Sequence, residues 1–243
     1  MLDNTEKFWE KAWIRHIETY LKSIPRAGIF ISNYFKNIDS ILEVAGGSCR
    51  DSRYLANSNY GLHVVGSDFD EKTLQYLQNR GDFNDKLVYS KEDAFSLTFK
   101  DNSFDLVFHN GFFVLFESDD DIYKMIREQE RVSRKFIVFF VHNYENRRQV
   151  EQFFKLSKND DLYKIRFFTR DEIFNIVKNS AIKSKNIKLL KFGGRGDIFY
   201  NRTFKRYIPN IVYPFSKYLI PRLYQLQKWK DTERICCIIE LDK

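Results

Sequence analysis

Residues 41–51 read Ile-Leu-Glu-Val-Ala-Gly-Gly-Ser-Cys-Arg-Asp: an apolar run ending in a carboxylate, a turn of small residues, then a helix-like segment from Asp51 to Asn57. About 20 residues further on, roughly one strand–helix–strand step, Leu62-His63-Val64-Val65-Gly66-Ser67-Asp68 repeats the pattern of a buried strand that ends in an acid. Strands that are continuous apolar runs are covered on both faces, which calls for helices on either side of a parallel sheet. Small residues in the turn let the backbone approach a ligand closely, and an acid after the second strand can hold a ribose diol. The pair constrains the chain to an open α/β sheet with a nucleoside-cofactor site at its carboxyl edge.

The alternation continues. Runs rich in Val, Ile and Phe place strands near 40–45, 62–67, 86–90, 104–109 and 135–141, with a sixth over 183–193 and a seventh from Arg234 to Leu241. Helices are expected near 50–57, 70–79, 118–132 and 170–179. Ser118 before Asp119-Asp120-Asp121 reads as a cap with a negatively charged first turn rather than a metal cluster, and Asp70 as a cap. Thr169-Arg170-Asp171-Glu172 reads as a capping box. Ahead of the first strand, Trp9, Trp13 and Ile17 at helical spacing predict a helix over 5–22, and a second covers 25–36. The chain reads as one domain: leading helices over 1–37, a cofactor-binding core over 38–193, an insertion over 194–231 and the last strand over 232–243.

The turn discriminates between cofactors. A dinucleotide fingerprint needs glycine at three positions spaced G-x-G-x-x-G, and in this register they hold Ala45, Gly47 and Arg50. Arg50 would crowd the helix–strand packing, which disfavours NAD and FAD. No Gly-Lys-Ser/Thr follows the turn, so a P-loop is excluded. The stretch instead resembles motif I of the class I S-adenosylmethionine-dependent methyltransferases, an acid followed by alternating glycines. Glu43 takes the acid position and Gly47, after Gly46, the middle glycine. Ala45 and Cys49 replace the outer two, and an alanine there is tolerated where its φ is negative. Val64–Asp68 is similar to the second motif, whose acid grips both ribose hydroxyls, with Phe69 flanking the adenine. Glu92-Asp93-Ala94-Phe95 is similar to the third block, where Asp93 would accept from the adenine amino group and the Ala94 amide would donate to a ring nitrogen. The resemblance covers roughly the first 180 residues and implies S-adenosyl-L-methionine as cofactor. It also implies a Rossmann-like, seven-stranded, mostly parallel sheet with helices on both faces, N-terminal lid helices and a helical insertion before the last strand.

Methyl transfer from a sulfonium is an in-line displacement that depends chiefly on positioning. A general base matters only when the acceptor is a hydroxyl or a protonated amine. The residues after the fourth strand, His109-Asn110-Gly111-Phe112, lack the prolines of the DNA- and glutamine-type enzymes, and no cysteine follows a proline as C5-cytosine chemistry requires. His109 is the first base candidate and also lines the expected cofactor cleft. His142, at the end of the fifth strand, is the second. His16 and His63 read as structural, and no His, Cys or carboxylate spacing suggests a metal site.

Charge points to the acceptor. Residues 195–230 carry eight Lys and Arg against one acid, Asp197, so this segment alone accounts for the net charge of +7. An anionic or phosphorylated small molecule would meet the protein there, with Trp9, Trp13, Arg195 and Tyr207 as candidate contacts. RNA gripped by the same segment is a less favoured alternative, because no RNA-binding module accompanies it. Peripheral contact with a membrane surface and a non-catalytic nucleoside-binding role also stay open, as does the oligomeric state. With no apolar stretch of 18 residues, no secretory leader at Met1–Lys7 and three cysteines that cannot form a disulfide framework, the expectation is a soluble cytoplasmic protein.

Overall fold

The computed structural model describes residues 6–58, 62–81, 85–194, 197 and 221–243. Two helices lead, α1 (Glu6–Lys22) and α2 (Arg26–Tyr34), followed by β1 (Ser40–Glu43), α3 (Arg50–Ser58), β2 (His63–Asp68), α4 (Glu71–Asn79) and β3 (Leu87–Lys91). Then come β4 (Phe104–Asn110), α5 (Asp119–Val132), β5 (Ser133–His142), α6 (Arg147–Leu156), α7 (Arg170–Asn179), β6 (Ser184–Gly194) and β7 (Thr232–Leu241).

The seven strands form one sheet in the order β3-β2-β1-β4-β5-β7-β6. The first five run parallel, while β7 is antiparallel to both β5 and β6. The chain travels outward from β1 to β3 and returns to β4, so the strand order reverses between β1 and β4. Ligands of open α/β sheets bind at the carboxyl ends beside such a reversal. Because β7 is antiparallel, its first residues lie at that same edge.

Two apolar layers sandwich the sheet. One joins Ile41, Val64, Leu106, Phe108, Val138 and Phe140 to α2, α3 and α4 through residues such as Phe30, Leu55 and Leu77. The other joins Leu42, Val107, Ile137 and Phe139 to α5 and α7 through Ile122, Ile126, Ile173 and Ile176. Alternate residues of one strand thus serve opposite layers, as a pleated strand buried on both faces requires. Cys236 and Cys237 are both buried, one in each layer.

The helix starts follow from their caps. Asp70 accepts from Lys72 N ahead of α4, and Thr169 with Glu172 closes the expected capping box on α7. Ser118 stands at the N-cap of α5, yet its side chain makes no capping bond; the three aspartates of the first turn supply the charge instead. The helix α6 was not anticipated, although Val150, Phe153 and Phe154 recur at helical spacing; none of its residues is buried. Among the described residues no helix is long and apolar enough to cross a membrane. The insertion is largely outside the described residues, apart from Asp197 and the chain from position 221 on.

Candidate active site

The bend between β1 and α3 is built on alternating left-handed residues. Ala45, Gly47 and Cys49 have φ of +50°, +54° and +46°. Alanine at 45 does not take the negative φ that its side chain favours, and Cys49 has the same strain; each costs about 1–2 kcal/mol against glycine. Backbone bonds hold the bend in place: Val44 N donates to Phe108 O at 2.8 Å, Gly46 N to Ser67 O at 2.8 Å and Cys49 N to Gly46 O at 2.9 Å. The Cys49 thiol fills the space beneath. A Cβ at Gly46 would lie 2.8 Å from Cys49 Sγ, and one at Gly66 2.9 Å, so the thiol dictates glycine at both positions. Burial pushes its pKa well up, so Cys49 packs as a neutral thiol.

The acids divide their work. Asp68 is buried at the end of β2, where Oδ2 accepts from Gly47 N at 2.7 Å and Oδ1 from Asp70 N at 3.1 Å. Burial raises its pKa to about 6. Glu43 acts on the bend from below: one carboxylate oxygen accepts from Ser52 N at 3.0 Å and Ser52 Oγ at 2.5 Å, locking the first turn of α3. Burial, then the charge of Asp51, raise its pKa to about 8. Beyond β3, Glu92 is the structural acid, bound to Ser90 and Thr98, whereas Asp93 is exposed with Oδ1 accepting from Phe95 N at 2.9 Å. Ala94 is buried and Phe69 half-buried at the same edge.

A second polar cluster, assembled from distant parts of the chain, lies along the edge. Asp51 of α3 accepts from Gly28 N of α2 at 2.8 Å and from Asn110 Nδ2 at 3.2 Å. The Oδ1 of Asn110 accepts in turn from Arg234 Nη1. Arg234 pairs across β5 and β7 with His142, which puts both side chains on one face. Beside them Arg26 binds Glu233 through two hydrogen bonds of 2.8 and 2.9 Å and pairs with Asp197, which also accepts from Tyr224. Although burial opposes it, the hydrogen bonds and charge of Arg26 hold the Glu233 carboxyl at about 2. Sequence reasoning missed Arg26, Asn110, Glu233 and Arg234, because partners up to 207 positions apart leave no local spacing.

His109 is elsewhere. Its ring is fully buried, 4.0 Å from the Phe113 ring centroid and stacked on Phe139 at 5.5 Å, in the layer beneath α5 and α7. Neither ring nitrogen finds a hydrogen-bond partner, and burial drops its pKa to about 3. The alternation of β4 sends the neighbouring Asn110 to the polar side and His109 away from it, so the expected base and cleft residue does not face the cluster. His142 does, with burial and Arg234 lowering its pKa to about 3. Arg195 and Tyr207 lie outside the described residues, as do the side chains of Trp9 and Trp13.

Residues 42–139, which contain the bend, Asp68 and Asp93, match the methyltransferase domain family. Solved structures share the fold. A chain of the Haloferax volcanii complex between the Trm112 methyltransferase activator and a methyltransferase candidate aligns with a TM-score of 0.64 at 13% identity over 100% of both chains. A Thermotoga maritima S-adenosylmethionine-dependent methyltransferase gives 0.60 at 13% identity over 95% of this chain and 98% of that one. Magnesium protoporphyrin IX methyltransferase from Synechocystis, solved with bound SAH, gives 0.55 at 10% identity over 94% and 83%. No curated protein sequence matches the chain.

The edge has the chemistry to hold a nucleoside cofactor. A buried acceptor at Asp68 suits a sugar diol, and an exposed acceptor at Asp93 beside the Ala94 amide suits the hydrogen-bonding edge of a base.

Proposed function

We propose that this protein is a methyltransferase that moves a methyl group from S-adenosyl-L-methionine to a small acceptor carrying an anionic group. The observation that supports it best is the adjacency, along one sheet edge, of the cofactor bend and the cluster of Asn110, His142 and Arg234. Asp51 joins the two: it sits in the first turn of the helix that follows the bend, and Asn110 donates to it. The basic 195–230 segment carries the chain's whole net positive charge, which favours an anionic ligand.

Bound there, the cofactor supplies an electrophilic methyl on a sulfonium. The protein positions the partners. Asp68 holds the sugar, Asp93 and the Ala94 amide hold the base, and the braced bend keeps them in register. Positioning of this kind removes roughly 7–11 kcal/mol from a barrier. His142 is too weak a base at a pKa of about 3 to take a proton efficiently near neutrality, so its neutral ring orients the acceptor by hydrogen bonding.

Calorimetry with S-adenosylhomocysteine, followed by methyl-release assays over a panel of small carboxylates and phosphate esters, tests the reading. Saturable binding that Asp68→Ala abolishes, with turnover of an anionic acceptor, is expected. Tight binding with turnover of neutral acceptors alone would overturn the acceptor class.

A further inference from the structure

Near the ends of β5 and β7 the buried Nε of Arg234 has no hydrogen-bond partner, whereas the neighbouring His142 ring has the Gln149 side chain of α6 beside it as a hydrogen-bond partner. Native proteins pair nearly all such atoms, so an unpaired guanidinium nitrogen points to a molecule that completes it. The Arg234 side chain is 17% exposed, its Nη1 is committed to Asn110 Oδ1, and its Nε approaches Glu233 Oε1 only at 3.4 Å. Glu233 is itself taken by Arg26 through two shorter bonds. No described residue accepts from Nη2. The guanidinium therefore offers the paired Nε–Nη2 donors that match two oxygens of an oxyanion side by side.

The surroundings fix the direction of that pair. Asn110 has both ends of its amide engaged, by Asp51 and by Arg234, so it holds the guanidinium still. His142 stands directly across the β5–β7 pairing, and its ring is closed off behind by Phe153 and Phe167 at 5.0 and 5.4 Å.

We propose that Arg234 is the anchor for the methyl acceptor, with its Nε–Nη2 edge binding two oxygens of a carboxylate or phosphate group while Asn110 positions it. This specifies the acceptor class of the proposed function and rests on that reading. No proton or bond is exchanged at Arg234; the interaction is recognition only.

The test follows the Arg234 side-chain Nε–H by NMR in the full chain saturated with S-adenosylhomocysteine. The resonance is assigned by its loss in Arg234→Lys. Inorganic phosphate and benzoate are titrated separately, and a saturable shift of that resonance with one or both is expected, each arm reporting which oxyanion fits. Arg234→Lys keeps the charge without the fork and should weaken anion binding at least tenfold, read by calorimetry, while binding S-adenosylhomocysteine within twofold of the wild type. Should Arg234→Lys fold poorly, Arg234→Gln provides the assignment instead, and the wild-type titration then decides. Bound S-adenosylhomocysteine with no saturable shift from either anion overturns the anchor and leaves the methyltransferase reading intact. Failure to bind S-adenosylhomocysteine at all overturns both.

Discussion

The carboxylate of Asp68 accepts the Gly47 amide at 2.7 Å, so the acid proposed to hold the sugar also holds the bend beneath it. Its pKa of about 6 leaves it ionised at neutral pH and protonated in mild acid. Hydrogen bonds to a charged acceptor contribute about 1.5–3 kcal/mol each, so Asp68→Asn should weaken cofactor binding about 10- to 150-fold at pH 8. As pH falls through 6, wild-type affinity should drop towards that of the variant. Calorimetry at pH 8 and pH 5 checks this, and equal affinities at pH 8 would remove Asp68 from the sugar site.

Glu43 gives the fold a pH dependence of its own. Its folded pKa, about 8, is raised above the ordinary 4.5, so the folded state holds a proton that the unfolded chain releases. That stabilisation is complete below about pH 4.5 and is lost as pH rises through about 8. Glu43→Gln keeps an acceptor for Ser52 without the charge. Wild-type Tm should decline between pH 6 and 9, and the decline should flatten in Glu43→Gln; parallel Tm profiles would show that Glu43 is not the group responsible.

Ala45 has its φ of +50° at a position where glycine is free of the penalty. Ala45→Gly relieves about 1–2 kcal/mol of strain and loses about 0.5–1 kcal/mol to the greater freedom of the unfolded chain. A net gain of about 0.5–1 kcal/mol, or ~1–4 °C in Tm, is expected. Cys49→Gly should not gain, since it also empties the space beneath Gly46 and Gly66. A loss of stability in Ala45→Gly, measured by thermal denaturation, would contradict the strained geometry of the bend.

The sheet was legible because most of its strands are built on apolar runs, and all seven fall where they were expected, although Lys185, Lys188 and Lys191 interrupt β6. The bend and its acids were legible too, since they follow one another within a single strand–helix–strand step. What Ala45 and Cys49 cost was not, because φ is set by the bonds from Val44 and Gly46 to neighbouring strands. The layer into which His109 points was not legible for a related reason. A strand alternates with a period of two, and no local feature says which of His109 and Asn110 meets which layer. Arg26, Glu233 and Arg234 come together only through the antiparallel return of β7, which brings its first residues beside the starts of α2 and α3.

His109 offers the sharpest check on that correction. Its two ring nitrogens are buried without partners among Phe112, Phe113 and Phe139. An unsatisfied buried polar group costs about 1–3 kcal/mol, and an aromatic ring without polar atoms would avoid that cost. His109→Phe adds a little volume, which opposes part of the gain, so a stabilisation of about 1 kcal/mol, ~2–4 °C in Tm, is expected. Affinity for S-adenosylhomocysteine should be unchanged, and methyl transfer should persist across pH 6–9 with the same profile. Were His109→Phe to fold and bind cofactor normally yet lose transfer, the imidazole would have to be reached by the acceptor. The layer beneath α5 and α7 would then open during turnover, in a way its packing against Phe139 does not provide for.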